Sequence, residues 1–171
     1  MNYNIITPIK NEGDHIENTI ASILNQNQRP KHWFIIDDHS TDESNFIISK
    51  YTSKYEFISL IEAPILKISE ISARIAYLVN YGISKFDEPI ELMLKLDADV
   101  VLPKDYCSYL ISKFESNNKL GIASGCAKFK GIEEKNTDFS QYSVTKNGTM
   151  NVAIAINPQK RILSKRNVKV A

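Results

Sequence analysis

Short apolar runs alternate along this chain with stretches of helical period, and that alternation restricts the fold more than any other feature of the sequence. Apolar strands separated by helices of ten or more residues bury their sheet between helical layers, which predicts βαβ units and a mostly parallel sheet. The expected strands cover residues 4–9, which Pro8 should end, and 33–36, which stop at Asp37-Asp38. Three more are expected over 57–61, over 90–96 with Ile90, Leu92, Leu94 and Leu96 on one side and Met93 on the other, and over 120–128. Between them, Ile16, Ile20, Ile23 and Leu24 share one face of a helix expected over 14–26. Ser40 and Glu43 have capping-box spacing ahead of a helix through Phe46, Ile47 and Tyr51. Ile68, Ile71, Ile75, Leu78 and Val79 mark a third helix, which Gly82 is placed to help terminate. Pro103 and Lys104 open a fourth, carrying Tyr106, Leu110, Ile111 and Phe114 inward. The class expected is α/β, a sheet between two layers of helices.

The length of 171 residues fits one domain spanning 1–171. Beyond Gly131 the periodicity weakens to a few short strands or loops. Residues 159–171 hold Lys160, Arg161, Lys165, Arg166 and Lys169 and no acid; this is a solvated terminus or a basic tail for an anionic surface. A net charge of +1 gives no general field for nucleic acid, and no ribonucleoprotein or zinc-finger pattern occurs, so nucleic acid is not an expected partner. Two cysteines, Cys107 and Cys126, form no Cys-x-x-Cys pair and read as reduced core thiols. The opening residues lack the plan of a signal peptide, and no apolar run approaches the ~18–20 residues a bilayer requires. The expectation is therefore a cytoplasmic protein, with peripheral contact at a membrane left open.

In open α/β sheets, ligands sit outside the carboxyl ends of the strands. Three expected strands deliver polar groups there: Thr7-Pro8-Ile9-Lys10-Asn11-Glu12, Asp37-Asp38, and Asp97-Ala98-Asp99. Carboxylates converging on one rim repel one another, and a hard divalent cation removes that conflict. Mg²⁺ uses only one or two protein carboxylates and completes its shell with phosphate and water, so the pattern favours a diphosphate substrate over a structural metal. Each residue also has a plainer reading. Asp37 and Asp42 can cap the turn and the next helix, Glu12 can complement a helix dipole, and Arg74 can be a solvent-facing charge. His15, His32 and His39 show no ligand spacing and read as surface residues. Asn147-Gly148-Thr149 matches a glycosylation sequon, but Asn-Gly is also a strong hairpin turn.

Five of these stretches resemble the family 2 glycosyltransferases of GT-A fold. They are Ile5–Glu12, Ser22–Gln26, Ile35–Asp42 (with His39 where Gly is usual), Asn80–Ile83 and Leu96–Asp99, in the family's order and spacing across residues 4–125. The resemblance implies a GT-A-like, Rossmann-like sheet and a role for each matching residue. Thr7 and Pro8 would line the nucleotide pocket through the backbone, and Glu12 would face the ribose or base. Asp38 would accept a hydrogen bond from the base, and Arg74 would contact phosphate or base. Asp97 would lie near ribose and metal, with Ala98 beside it, and Asp99 would be the main ligand of Mn²⁺ or Mg²⁺. The implied reaction is inverting transfer from a UDP- or GDP-sugar to an acceptor of the glycan or lipid-linked kind.

The resemblance weakens after Gly125. Inverting transfer needs a base within reach of the acceptor hydroxyl, and only Glu133, Glu134 and Asp138 offer one, in a loop-like run. The Gln-x-x-Arg-Trp element of processive synthases is absent, since Trp33 is the one tryptophan. A non-catalytic or partner-dependent sugar-nucleotide module therefore stands beside the enzyme. A nucleotidyltransferase ranks lower, because the loop after the first strand holds only Gly13 rather than a glycine-rich phosphate cradle. A receiver domain does not suit a metal motif on the fourth strand.

Overall fold

Of the chain, the structure, a computed structural model, describes residues 1–124 and the backbone of 154–156. Ten elements occur among the described residues. They are β1 (Tyr3–Ile9), α1 (Ile16–Leu24), β2 (His32–Asp37), α2 (Ser44–Thr52), β3 (Ile58–Glu62), α3 (Ile71–Ile83), β4 (Leu92–Lys95), α4 (Tyr106–Ser116), β5 (Ile122–Ser124) and β6 (Ile154–Ile156). The sheet runs β3-β2-β1-β4-β6-β5. Its first four strands are parallel, as the alternation predicts. The fifth expected strand is not the next neighbour of β4: β6 lies between them, antiparallel to both. This departure has no signature in the periodicity, because β6 is three residues long.

Alternation within the strands sends side chains into two cores. Ile5, Ile9, Trp33, Ile35, Leu92, Leu94 and Leu96 pack with Ile16, Ile20 and Ile23 of α1, Ile48 of α2, and Cys107, Leu110, Ile111 and Phe114 of α4. Ile6, Ile36 and Met93 face the other way, against Leu78 of α3. Burial pushes the Cys107 thiol up to about 11, the behaviour of an inert core cysteine.

Several expectations shift on contact with the structure. Pro8 does not end β1; it pairs in register with Ile36, and the strand continues to Ile9. Ile6 carries the last β1–β4 register pair, opposite Lys95, and its carbonyl accepts from Leu96 N–H. Pro8 is on the same side of the strand two residues later, so its missing N–H costs no ladder bond where β1 and β4 part. Gly82 does not terminate α3 either. It is buried within the helix, and a Cβ there would lie 3.0 Å from Ile6 Cγ2 and 3.2 Å from Ile36 Cγ1, so it is a close-approach glycine. Ile68 precedes α3, which Glu70 caps by accepting from Ser72 and Ala73 N–H, and Ile71 and Ile75 are 73 % and 38 % exposed. The Ser40–Glu43 capping box does not form. Ser40 Oγ is engaged elsewhere, and Asp42 accepts from Ser44 N–H at 3.0 Å instead. The expected strand over 120–128 is described only to Ser124. Cys126, the 147–149 turn, Glu133, Glu134, Asp138 and the 159–171 tail lie outside the described residues.

Candidate active site

From β1 the chain steps outward to β2 and β3, then returns across α3 to β4 on the far side of β1. The order reverses there, and in sheets of this kind the ligand crevice lies beyond the carboxyl ends of the strands at such a point. Thr7, Pro8 and Ile9 form one lip. Thr7 is fully buried and its Oγ1 accepts from Trp33 Nε1 at 3.0 Å, which leaves only its backbone for a ligand. Pro8 is half-buried beside it.

At the end of β2, Asp38 is 2 % exposed, and an isolated carboxylate would be costly there. Arg74 of α3 resolves this with a fork: Nε donates to Oδ2, and Nη2 donates to Oδ1 at 2.5 Å. Its Nη1 ties the loop before α3 by donating to the carbonyls of Leu66 and Ile68, at 3.3 and 3.0 Å. Lys10 Nζ lies 3.9 Å from Asp38 Oδ2 and donates to the Asp38 carbonyl. Asp37 plays the structural part the sequence allowed it, accepting from Ser40 N–H and Asn45 Nδ2.

At the end of β4 the three residues of the acidic motif diverge. Ala98 is buried and its carbonyl accepts from Thr19 Oγ1 at 2.5 Å, which fixes the turn to α1. Asp97 is ion-paired with Lys95, Nζ to Oδ1, and Asp99 is exposed at the rim. Glu12 is half-buried on the opposite lip. Partial burial first, then the negative charge of Asp99, raises its carboxyl above the usual range, with Asp42 and Asp97 adding smaller contributions. Asp99, Asp42 and Asp97 thus lie near enough to Glu12 for their charges to act on its carboxyl. Among the described residues no three His, Cys, Asp or Glu side chains enclose an ion. The donor set instead fits a cation held by one or two carboxylates and completed by phosphate and water, as Mg²⁺ or Mn²⁺ is.

The loop carrying Glu12 is latched to the loop after β2. Asn11 N–H donates to Ser40 Oγ at 2.9 Å, and Asn11 Oδ1 accepts from Thr41 N–H at 2.8 Å. Glu12 N–H donates to Ser44 Oγ at 2.8 Å, and Gly13 N–H to Asp42 Oδ2 at 2.9 Å. Asn11 and His39 have left-handed φ of 56° and 57°. Glycine enters that region at no cost, which accounts for glycine being usual at the His39 position. His39 is not a simple surface histidine: it is half-buried, with Nδ1 3.1 Å from Glu62. His32 is also half-buried and rests against Phe34 and Phe86.

The structure thus brings Thr7, Pro8, Glu12, Asp38, Arg74, Asp97, Ala98 and Asp99 to one sheet edge. Arg74 is neither a solvent charge nor an unengaged ligand contact but the counter-ion of Asp38. Sequence reasoning missed Lys95, Lys10 and Asn11. Lys95 could have been found as a cation two residues before an acidic motif, in a strand otherwise apolar.

The structure shows a mostly parallel α/β sheet with acidic residues gathered at its switch point, an architecture shared by a broad class of proteins. Comparison with known proteins narrows the class: residues 4–167 match the model of glycosyl transferase family 2, and the chain belongs to that family. A poly-beta-1,6-N-acetyl-D-glucosamine synthase of Staphylococcus epidermidis is 30 % identical over 115 residues, which cover 67 % of this chain and 26 % of the relative. The chain thus spans about a quarter of the length of the curated relatives it matches. Among solved structures, a mannosyltransferase from Pyrobaculum calidifontis in complex with GDP-Man and Mn²⁺ superposes with a TM-score of 0.66 at 19 % identity, covering 95 % of this chain and 46 % of the other. S. aureus TarS residues 1–349 in complex with UDP-GlcNAc gives 0.60 at 18 %, covering 82 % and 39 %. These likenesses establish the GT-A-like fold. Among the described residues no helix is long and apolar enough to cross a membrane.

Proposed function

We propose that this chain provides the donor site of a metal-dependent glycosyltransferase, which transfers a sugar from a UDP- or GDP-sugar to an acceptor with inversion. The observation that carries the reading is that Glu12, the Asp38–Arg74 pair, Asp97 and Asp99 all follow the carboxyl ends of neighbouring strands β1, β2 and β4 at the switch point, with Asp99 and Asp97 close enough to act on Glu12. The staphylococcal synthase and the sugar-nucleotide complexes of the two structural neighbours support it.

In this reading the base end lies at Asp38, whose carboxylate Arg74 orients as an acceptor, with Thr7 and Pro8 offering backbone along the lip. Asp97 and Ala98 would flank the ribose, and Asp99 would hold Mn²⁺ or Mg²⁺. A divalent ion held there would supply positive charge to offset that of a departing nucleoside diphosphate. Glu12 adds a negative charge on the opposite lip, which strengthens the hold on that ion. The acceptor, a glycan or a lipid-linked group, and any partner subunit belong to the same proposal.

Thermal unfolding against UDP, GDP, CDP and their sugars, with and without Mn²⁺, tests it. A nucleotide at 100 times its Kd should add about 2.7 kcal/mol. The expected result is a shift with one base, dependent on metal and lost in Asp99→Asn. Hydrolysis of the stabilising sugar nucleotide then separates an enzyme from a binding module. No shift with any of these ligands would sink the donor-site reading.

A further inference from the structure

Lys95 is the group at this edge to which the donor reading gives no task. It is the last residue of β4, on the side of the strand shared with Met93, and its register partner on β1 is Ile6. Its side chain is 18 % exposed, and its ammonium is held on Asp97 Oδ1 rather than extended into water. A lysine so placed in an apolar strand is tolerated only because a carboxylate meets it. The carboxylate it meets belongs to the acidic motif itself.

We propose that Lys95 is a resident cation of the donor site: it competes with the divalent ion for Asp97, and it turns to the diphosphate when a nucleotide is bound. The inference rests on the donor-site reading. Its logic is electrostatic. With the ammonium on Asp97 Oδ1, an ion that approaches Asp97 and Asp99 together meets a positive charge already in place, so metal alone binds against Lys95. A nucleoside diphosphate changes this, because its phosphates give the lysine another partner. The four-carbon stem ends in a point charge that accepts a phosphate in any orientation. Metal and nucleotide then favour each other by more than their direct contact, and the coupling must be the same seen from either ligand.

The test is isothermal titration of the full chain with Mn²⁺ alone, and with UDP or GDP with and without Mn²⁺, in the natural protein, Lys95→Met and Lys95→Arg. Lys95→Met should bind Mn²⁺ alone roughly fivefold tighter, the scale expected when one partly exposed ion pair no longer competes. It should bind the metal-free nucleotide roughly fivefold more weakly. Lys95→Arg keeps the pair with a fork in place of a point charge, and should bind Mn²⁺ no more tightly than the natural protein; it preserves the test if the methionine variant does not fold. Should Mn²⁺ binding depend on Asp99 yet stay unchanged or weaken in Lys95→Met, the role of Lys95 is overturned and the donor site stands. Mn²⁺ binding indifferent to Asp99→Asn would overturn the donor site as well.

Discussion

Arg74 meets both oxygens of Asp38 with two different guanidinium nitrogens, across 36 residues of sequence, and so holds a buried carboxylate at the end of β2 in one orientation. A lysine would keep the charge but not the fork. Arg74→Lys should weaken binding of whichever nucleotide stabilises the chain by about tenfold, with little change in the affinity for Mn²⁺ alone. Parallel titrations of the two ligands check it. Equal loss for both would mean that the pair supports the whole edge rather than the base end.

Ser44 is buried where two loops meet, accepting from Glu12 N–H and donating to Asp42 Oδ1. Ser44→Ala leaves an inward-facing N–H without its acceptor, at a cost of about 1–2 kcal/mol. Urea unfolding should show that loss. Because the released loop carries Glu12, metal-dependent nucleotide binding should fall by more than metal-free binding. A variant destabilised with both affinities intact would make the latch purely structural.

The long-period features of this fold were legible in the chain, and the short-range ones were not. Four parallel strands follow from apolar runs such as Trp33–Ile36, since a doubly covered strand has little choice of composition. The acids were legible for the same reason: Asp38, Asp97 and Asp99 stop apolar strands, and strand ends share an edge. Pro8 and Gly82 misled because each was read from its own backbone preference. The neighbouring strand decided both, through the parting of β4 from β1 and the proximity of Ile6 and Ile36. Ser40 and Glu43 have the spacing of a cap, yet the loop after β1 claims Ser40 through Asn11. Partnerships across 29 to 36 residues, such as Gly13–Asp42 and Arg74–Asp38, leave no periodic trace.

Gly82 places α3 on the sheet. A methyl at this position must displace Ile6 or Ile36, both fully buried strand residues beneath the site. Overpacking of this kind costs about 1–3 kcal/mol, against a gain of about 1 kcal/mol in helix propensity. Gly82→Ala should therefore destabilise the fold by about 1 kcal/mol, and denaturant unfolding gives the sign. A stabilised variant would show that α3 can move off the sheet freely, and that Arg74 is not held in place by this packing.

Glu12 allows a prediction with a definite sign in pH. Partial burial and the neighbouring charge of Asp99 raise its carboxyl above the ordinary 4.5, so the folded chain holds this proton more firmly than the unfolded chain does. Folding takes up a proton in the window just above 4.5, and stability due to this group falls as pH rises through it. Below the window Glu12 is protonated in both states and contributes nothing; above it the repulsion is complete. Glu12→Gln should accordingly raise the unfolding free energy at neutral pH, by about 0.5 kcal/mol for a side chain this exposed, and leave it nearly unchanged near pH 4. Saturating Mn²⁺ should reduce or reverse that advantage, because the ion meets in the natural protein the charge that the substitution deletes. Thermal unfolding of both proteins across pH, with and without Mn²⁺, measures all of this together. A gain equal at pH 4 and pH 8 would mean that Glu12 acts through packing and not through its charge.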